Sequence, residues 1–435
     1  MPFIDRREFL KIMGIGAAAA TVPGLVACSK GEQATAAPIA SPSAASGAAP
    51  EGFYDLPMQG TARILHITDV HGQLKPVYFR EPNVNLGVGD AFGRPPHIVG
   101  KKLLEAMALN PKPITPESYA YTYLDFENAA RQYGRTGGYA HMKTLLDKLR
   151  EQAGGKQNTL TLDGGDLWQG SGTSLWTRGV DMVEASNILG LDVMVGHWEF
   201  TYREDEVLNN VSLFKGDFIG QNVRIKEDAL FGDEYAAMTE KYDGRGLYDE
   251  DTGHAFRPYV IKEINGARIC IVGQAFPRTA NANPQEFFPD WSFGLREDDM
   301  IELVKDIREN EKPDAIVLLS HNGMDVDIKM AERVPGLNAV FGGHTHDGIP
   351  KPLEVKNVEG HTCLVTNAGS NGKYVGVMDF EFADGKIKQL HDKMLPVISD
   401  WLPENKEMSA YINQMRQTVY TDKIIESRSP SYFYN

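Results

Sequence analysis

Short apolar runs that alternate with helical stretches are the feature of this sequence that most constrains its fold. From residue 61 onward the apolar runs are too short for helices, whereas residues 138–152 and 300–310 repeat apolar residues at helical spacing. Strands interleaved with helices predict an α/β fold with mostly parallel sheets. Residues 376–382 alternate apolar and polar side chains, which predicts an antiparallel strand at a sheet edge. The other predicted strands are residues 63–68, 159–162, 192–195, 218–219, 268–272, 315–320, 339–341 and 363–366.

Aspartate or histidine follows five of these apolar runs directly, in most cases beside glycine. Polar functional groups of α/β folds gather at the carboxyl ends of strands. Asp69 and His71 are two residues apart at the end of an extended segment, so both can face one ion, and His344 and His346 form a second such pair. The predicted metal ligands are Asp69, His71, Asp166, His197, His321, His344 and His346.

The distribution of histidine supports a metal site rather than isolated structural histidines. A lone histidine at a strand end is usually a structural hydrogen-bonding residue, but five of the 11 histidines fall in these motifs. Mixed aspartate and histidine ligands suit manganese, zinc or iron, and one carboxylate can bridge two ions. We assign no functional role to the remaining histidines, which are His66, His97, His141, His254, His361 and His391.

The first 28 residues predict export rather than a folded element. Arg6 and Arg7 precede an apolar run over residues 12–26 that is interrupted by glycine, proline and threonine, so it is a poor membrane-spanning helix. The segment resembles a twin-arginine signal, which implies export of the folded protein to the periplasm. Residues 25–28 resemble a lipoprotein cleavage box, and both lipid attachment at Cys28 and ordinary cleavage nearby stay open.

The rest of the chain divides into three predicted parts. Residues 29–60 are rich in Ala, Ser, Pro and Gly and predict a flexible linker. Residues 61–400 form the predicted catalytic domain, in which residues 74–135 are a long insertion that we expect to form a wall or lid over the site. Residues 226–257 are a second irregular stretch. Residues 405–423 predict a helix inside a final segment, 401–435.

Composition excludes several classes of function. With 44 basic and 59 acidic residues, the formal charge of −15 argues against nucleic acid or an anionic membrane as a partner. Cys270 and Cys363 lie in apolar runs and are expected to be small buried residues rather than a disulfide or a nucleophile. A thiolate enzyme is therefore not expected.

The ordered set of motifs between residues 63 and about 382 resembles the calcineurin-like metallophosphoesterases, and among them the 5′-nucleotidase branch. The resemblance implies a four-layer α/β/β/α sandwich with two mixed sheets, and two metal ions bridged by an aspartate and by a hydroxide that acts as the nucleophile. By this resemblance, one ion would be held by Asp69, His71, Asp166 and His346. The other would be held by Asp166, His197, His321 and His344.

One motif departs from the family. Where the family has Gly-Asn-His-Glu-Phe-Asp, residues 196–201 read Gly-His-Trp-Glu-Phe-Thr, so Trp198 replaces the histidine that contacts phosphate and Thr201 replaces the aspartate that orients it. Loss of that pair removes stabilisation of a dianionic phosphoryl group, whereas a less charged sulfonate needs less help. Trp198, Glu199 and Asn322 are the predicted pocket residues. Plain packing beside the metals is the alternative role of Trp198.

Together with the paired arginines and the sequence of residues 165–171, this departure resembles the SoxB-type sulfohydrolases of periplasmic thiosulfate oxidation. The resemblance implies two Mn²⁺ ions, with Zn²⁺ or Fe as alternatives, and release of sulfate from a cysteine S-thiosulfonate on a carrier protein of the SoxYZ type. Two other interpretations stay open: a periplasmic 5′-nucleotidase or related phosphoesterase, and an inactive metal-binding fragment. The branch has a C-terminal domain after a connecting helix, and we expect that domain to be missing here.

Overall fold

The computed structural model describes residues 48–78, 89, 92–110, 112, 114–230, 232–241 and 251–427. The predicted export signal at residues 1–28, with Cys28, and the linker up to residue 47 lie outside these residues. Within the described part of the chain, no helix is both long enough and apolar enough to cross a membrane.

Two mixed sheets of six strands organise the described residues. In spatial order, the first sheet contains β14 (Lys386–Pro396), β13 (Tyr374–Ala383), β1 (Ala62–Ile67), β2 (Thr159–Asp163), β3 (Val193–Met194) and β4 (Asp217–Phe218). The second contains β11 (Leu353–Lys356), β12 (Thr362–Asn367), β10 (Ala339–Gly342), β9 (Ala315–Ser320), β7 (Ala267–Gln274) and β6 (Tyr259–Ile264). A small antiparallel ribbon pairs β5 (Arg224–Ile225) with β8 (Trp291–Ser292).

The central strands of both sheets run parallel, and antiparallel strands lie outside them. Strands β1 to β4 are parallel to their neighbours, as are β7, β9, β10 and β12. Strands β13 and β14 close one side of the first sheet, whereas β6 and β11 are the antiparallel edges of the second. Because parallel strands end on the same edge of a sheet, the loops that follow them meet there.

Helices cover the outer faces of both sheets. In chain order they are α1 (Lys101–Ala106), α2 (Pro116–Tyr121), α3 (Phe126–Tyr133), α4 (Tyr139–Gln152), α5 (Gly172–Thr177), α6 (Val180–Leu189), α7 (Glu204–Leu213), α8 (Glu227–Leu230), α9 (Asp233–Glu240), α10 (Thr279–Ala282), α11 (Glu297–Asp306), α12 (Met324–Arg333) and α13 (Lys406–Ser427). Short 3₁₀ turns occupy Lys156–Asn158, Trp198–Tyr202, Gln285–Phe287 and Ser399–Trp401, and a π turn, Ile307–Glu311, extends α11.

Successive side chains of a strand point to opposite faces of its sheet, and this alternation explains how the layers pack. In β1, Ile64 faces the core shared with the second sheet, whereas Leu65 and Ile67 face the helices on the other side. In β9, Val317 faces the shared core and Leu318 faces the core formed with α11 and α12. Each sheet is therefore buried on both faces, as in an α/β/β/α sandwich, and the predicted fold class is confirmed.

The sequence prediction was wrong about one strand and missed several others. Strand β13 contains the predicted edge strand, residues 376–382, but it lies inside the sheet between β1 and β14. The true edge, β14, was missed because its residues are mostly polar and lack a clear alternation. Strands β5, β6, β8 and β11 were also missed. Cys270 and Cys363 are buried and free, as expected.

The described part of the insertion packs against the main body. The phenol ring of Tyr121 in α2 stacks on the ring of Tyr374, with 5.7 Å between centroids, and its hydroxyl donates to the carbonyl of Met394. His97 forms an ion-pair contact of 3.0 Å with Asp325, in the first turn of α12. Since α12 begins close after His321, part of the insertion lies near the strand ends. A wall or lid over the site stays a prediction.

Candidate metal centre

Seven side chains from distant segments converge at the carboxyl ends of the central strands. They form two groups, each with ligand atoms within 4.8 Å of one another. The first group is Asp166, His197, His321 and His344, and the second is Asp69, His71, Asp166 and His346. These are the seven residues that the sequence motifs predicted, and Asp166 belongs to both groups.

Asp166 lies at the middle of the cluster. Its carboxylate oxygens lie 3.1 Å from Nδ1 of His197 and 3.1 Å from Nε2 of His321. Nε2 of His71, from the second group, lies 3.7 Å away. The backbone N–H of Trp198 also donates to this carboxylate, at 2.9 Å. This central position fits a carboxylate that bridges two ions.

The second group is more open to solvent than the first. Nε2 of His71 and Nε2 of His346 are 2.9 Å apart, and Nε2 of His346 is 3.4 Å from Asp69. The side chains of His71 and His346 are 20% and 27% exposed, whereas those of His321 and Asp166 are 0% and 2% exposed. Solvent and a substrate therefore reach the cluster from the side of His71 and His346.

The backbone around the cluster is strained in a consistent way. Asp69, His71, Asp166, His344 and His346 all have left-handed conformations, with φ between 52° and 74°. Residues other than glycine rarely adopt this conformation, and such strain concentrates at functional sites. The spacing of two residues within each pair predicted that both side chains face the same side, as they would in a strand that continued through the pair. In the structure the chain has already left the strand, and left-handed residues turn the side chains inward.

Two glycines allow the loops to approach this closely. A Cβ on Gly343 would lie 2.5 Å from Oγ1 of Thr68 and 2.9 Å from Nδ1 of His321. Gly165 has φ +93°, and its Cβ would also lie 2.9 Å from Nδ1 of His321. Backbone hydrogen bonds from Asp69 to Gly165, 2.9 Å, and from His71 to Asp166, 2.8 Å, join the first two loops.

Electrostatics at the cluster favour positive charge between the carboxylates. Burial acts to raise the pKa of Asp166, but His321 and His197 outweigh it and hold this pKa well below the usual range. Burial acts to lower the pKa of His321, but Asp166 and Asp69 raise it to about 10. Burial, aided by His321 and His197, lowers the pKa of His344 to about 3. The cluster thus keeps its carboxylates ionised and draws positive charge to its centre.

The donor set fits a pair of divalent cations. Nδ1 of His197 faces Nε2 of His321 at 3.1 Å, and a similar pair of facing ring nitrogens joins His71 to His346. Two ring nitrogens at this distance can share one proton in a hydrogen bond or, when neither carries a proton, present two facing lone pairs that have no hydrogen to accept. A bound cation satisfies such lone pairs, and imidazole with carboxylate suits first-row transition metals.

Glu199 was predicted to line the pocket, and this prediction is wrong. Its side chain is fully buried behind the cluster. Oε1 accepts hydrogen bonds from the backbone N–H groups of Leu167, 2.6 Å, and Trp168, 3.0 Å. Oε2 accepts from those of His197, 2.7 Å, and Asp166, 3.3 Å. Glu199 therefore ties the loop of Asp166 to the loop of His197 and positions both.

Asn322 is also turned away from the cluster. Its amide oxygen accepts from Gln274 at 3.1 Å and its amide nitrogen donates to Asp327 at 3.2 Å. Trp198, in contrast, is half-buried beside the cluster, with its ring 4.8 Å from the ring of His197. Of the three predicted pocket residues, Glu199 and Asn322 are buried and Trp198 is partly exposed, so a substrate contact of Trp198 stays a prediction.

Two residues at the cluster had no signal in the sequence argument. Thr68 donates to Oδ2 of Asp69 at 2.5 Å. Phe276 follows β7, and its ring lies 4.1 Å from the ring of His344 and 4.2 Å from that of His197. β7 ends in Gln274, and no aspartate or histidine follows it, so the strand-end pattern predicted no functional residue at Phe276.

Comparison with known proteins places the fold and the cluster in one family. Residues 62–348 match the calcineurin-like phosphoesterase family. The chain is 26% identical over 365 residues to the silent protein UshA(0) of Salmonella typhimurium, covering 76% of this chain and 61% of that protein. It is 25% identical over 298 residues to the 5′-nucleotidase of Rattus norvegicus, covering 64% of this chain and 47% of that enzyme.

Among solved structures, the sulfate thiohydrolase SoxB of Thermus thermophilus is similar, with 34% identity and a TM-score of 0.72. The match covers 83% of this chain and 61% of that one. The chain therefore spans about three fifths of the length of UshA(0) and of the SoxB chain, and about half of the length of the Rattus norvegicus 5′-nucleotidase. Because the family match covers well over half of the chain, this protein belongs to the calcineurin-like phosphoesterase family.

Proposed function

We propose that this chain releases sulfate from a cysteine-bound thiosulfonate on a carrier protein of the SoxYZ type. The observation that carries the proposal is Trp198, which lies half-buried beside His197 where the family resemblance implies a phosphate-contacting histidine. The likeness to the SoxB structure, at 34% identity, supports the same assignment. The proposal includes Mn²⁺ as the metal, with Zn²⁺ or Fe as alternatives, and export to the periplasm by the segment at residues 1–28.

Trp198 changes which transferred group, phosphoryl or sulfonate, the pocket favours. An indole ring offers one N–H donor and no cationic form, so it stabilises a dianionic phosphoryl group less well than an imidazolium. A thiosulfonate carries a single negative charge on its terminal group and needs less charge compensation. The same ring narrows the pocket and excludes water from one side of the cluster. The substitution therefore favours the less charged substrate.

The seven clustered residues would hold two divalent ions, which lower the pKa of a shared water and offset charge on substrate oxygens. Asp166 joins the two halves of the cluster because its carboxylate lies close to His197 of one group and to His71 of the other. Glu199 and the left-handed loops fix the spacing of the ligands. No side chain is assigned as an acid for the leaving group, because a thiolate leaves readily without protonation.

A second function is favoured by the sequence relatives, which include the 5′-nucleotidase of Rattus norvegicus. For this function the pocket would have to bind a phosphate dianion beside Trp198. The two candidates share the cluster and differ in the atom attacked, sulfur or phosphorus, and in the leaving group, a sulfur anion or a nucleoside oxygen. A third interpretation is a metal-binding protein without turnover.

The discriminating experiment compares two products from one Mn²⁺-loaded preparation. Sulfate release from a peptide with one cysteine S-thiosulfonate is measured beside phosphate release from a nucleoside 5′-monophosphate. Sulfate release that is lost in Asp166→Asn supports the proposal. Phosphate release without sulfate release contradicts it and favours the nucleotidase. Full metal loading with neither product also contradicts it and favours the metal-binding interpretation.

A matched variant tests the role of Trp198 itself. Trp198→His supplies a cationic hydrogen-bond donor at the same backbone position. We expect the ratio of phosphate release to sulfate release to rise at least about tenfold, which corresponds to one charge-assisted hydrogen bond gained by the phosphoryl group. An unchanged ratio would show that Trp198 packs beside the metals without selecting the substrate.

A further inference from the structure

The aromatic ring of Phe276 packs closely on two members of the candidate metal cluster, His344 and His197, and lies edge-on to a third, His321, with 6.3 Å between centroids. Its centroid is 4.1 Å from that of His344, with 31° between the ring planes, and 4.2 Å from that of His197, with 50° between planes. Its backbone N–H donates to the carbonyl of Gly196, 3.2 Å away, which fixes the start of this loop beside the His197 loop. No ring contact joins Phe276 to His71 or His346 in the part of the chain that the structure describes.

The two histidines that contact Phe276 lack the hydrogen bond that normally orients a metal-binding imidazole. Such a histidine usually donates its other ring N–H to a carboxylate or a carbonyl. His321 follows this rule, because its Nδ1 lies 2.6 Å from the carbonyl oxygen of Gly164. Nε2 of His197, in contrast, is buried without a hydrogen-bond partner. The ring of His344, which is partly exposed, has no hydrogen bond to another described residue.

We propose that Phe276 is a positioning residue that orients His197 and His344 by ring packing, in place of hydrogen bonds to their distal nitrogens. The inference rests on the proposed dinuclear site. His197 and His344 belong to the same group, with Asp166 and His321, so Phe276 acts on one ion position. The other position draws on Asp69, His71 and His346 together with the shared Asp166.

Ring packing is sensitive to the shape of the side chain at position 276. Phe276→Tyr keeps the planar face, and Phe276→Leu keeps apolar volume without it. Phe276→Ala removes both. Loss of a group that orients metal ligands typically lowers metal affinity about 10-fold to 100-fold. We therefore expect the Ala variant to bind one Mn²⁺ with wild-type affinity and the second about 10-fold to 100-fold more weakly, with Leu intermediate and Tyr close to wild type.

Phe293→Ala is the matched control. Phe293 is likewise only partly buried, and its recorded ring contacts are with Phe200 and Phe288 rather than with any clustered histidine. Its loss removes the same number of atoms and should leave both Mn²⁺ affinities unchanged. The thermal unfolding of each chelator-treated variant shows how much of any effect is general destabilisation.

The measurement is an equilibrium Mn²⁺ titration, read by the electron paramagnetic resonance signal of free Mn²⁺. One weakened class of site in Phe276→Ala, with both classes intact in Phe293→Ala, supports the inference. Wild-type affinity at both sites of Phe276→Ala and Phe276→Leu overturns it, as does equal weakening by Phe293→Ala. If the wild-type chain itself binds no Mn²⁺, the proposed dinuclear site fails instead, so the two failures are distinguishable.

Discussion

Substitution of Glu199 is the sharpest test of how the loops around the cluster are held. Its carboxylate accepts four buried backbone N–H groups, three of them at 3.0 Å or less. A buried donor left without an acceptor costs about 1–3 kcal/mol, so Glu199→Ala should lower the free energy of unfolding by about 3–5 kcal/mol after water refills part of the space. That is a large part of the stability of a typical domain.

Glu199→Gln separates the contribution of each oxygen. The glutamine oxygen can still accept from Leu167 and Trp168, but its NH₂ group would face the N–H of His197, donor against donor. We expect a loss of about 2 kcal/mol in the metal-free protein. The displaced His197 loop should weaken metal binding by about tenfold as well.

Urea unfolding of the metal-free protein, together with Mn²⁺ titration, measures both effects. Glu302→Gln is the control, because it removes the same charge from an exposed position on α11. It should lie within about 0.5 kcal/mol of wild type. If Glu199→Gln also leaves both the free energy of unfolding and the Mn²⁺ affinity at their wild-type values, the role of Glu199 in holding the loops is refuted.

Three further predictions concern the stability of the fold: two buried carboxylates and the bound ions. Burial raises the pKa of Glu204 from 4.5 to about 8. The contribution of the protonated carboxyl group to the free energy of unfolding is therefore complete below pH 4.5 and is lost as the pH rises through 8. Glu204→Gln, which keeps the acceptor for the N–H groups of Asp290 and Trp291, should flatten the fall in urea midpoint between pH 5 and pH 8; an unchanged slope would contradict this. Asp379→Asn should cost about 3–5 kcal/mol in urea unfolding, because Arg63 is fully buried and pairs with both oxygens of Asp379; a cost under about 1 kcal/mol would refute a buried ion pair here. Chelation should lower the unfolding temperature by several degrees, since ions that bind only the folded state stabilise it, and an unchanged temperature would argue against resident ions.

The sequence predicted the fold class and the convergence of the seven clustered residues because both follow from strand ends. His321, for example, directly follows β9, and the carboxyl ends of parallel strands meet at one edge. Asp166 follows β2 after two glycines, so it too lies at the carboxyl end of a parallel strand, although its carboxylate is buried rather than exposed. Periodicity and strand ends were sufficient for the α/β class and for the seven residues, whereas the four-layer sandwich and the two ion groups were implied by the family resemblance.

Side-chain direction in the loops could not be predicted in the same way. Glu199 lies between residues of the pocket motif, yet it points inward because four backbone N–H groups surround it, and those groups belong to loops far apart in sequence. Phe276 carries no ligand atom, so only its position beside His344 shows its role. The interior place of β13 depends on β14, whose polar sequence gives no strand signal.

The central claim is that one carboxylate, that of Asp166, joins two ion positions. The most direct measurement is Mn²⁺ stoichiometry by equilibrium dialysis with elemental analysis, for the wild-type chain and for Asp166→Asn. The account predicts two tightly bound ions per wild-type chain and weakened binding at both positions in the variant. Fewer than one ion per wild-type chain, or loss of a single ion in Asp166→Asn with the other unaffected, would contradict it.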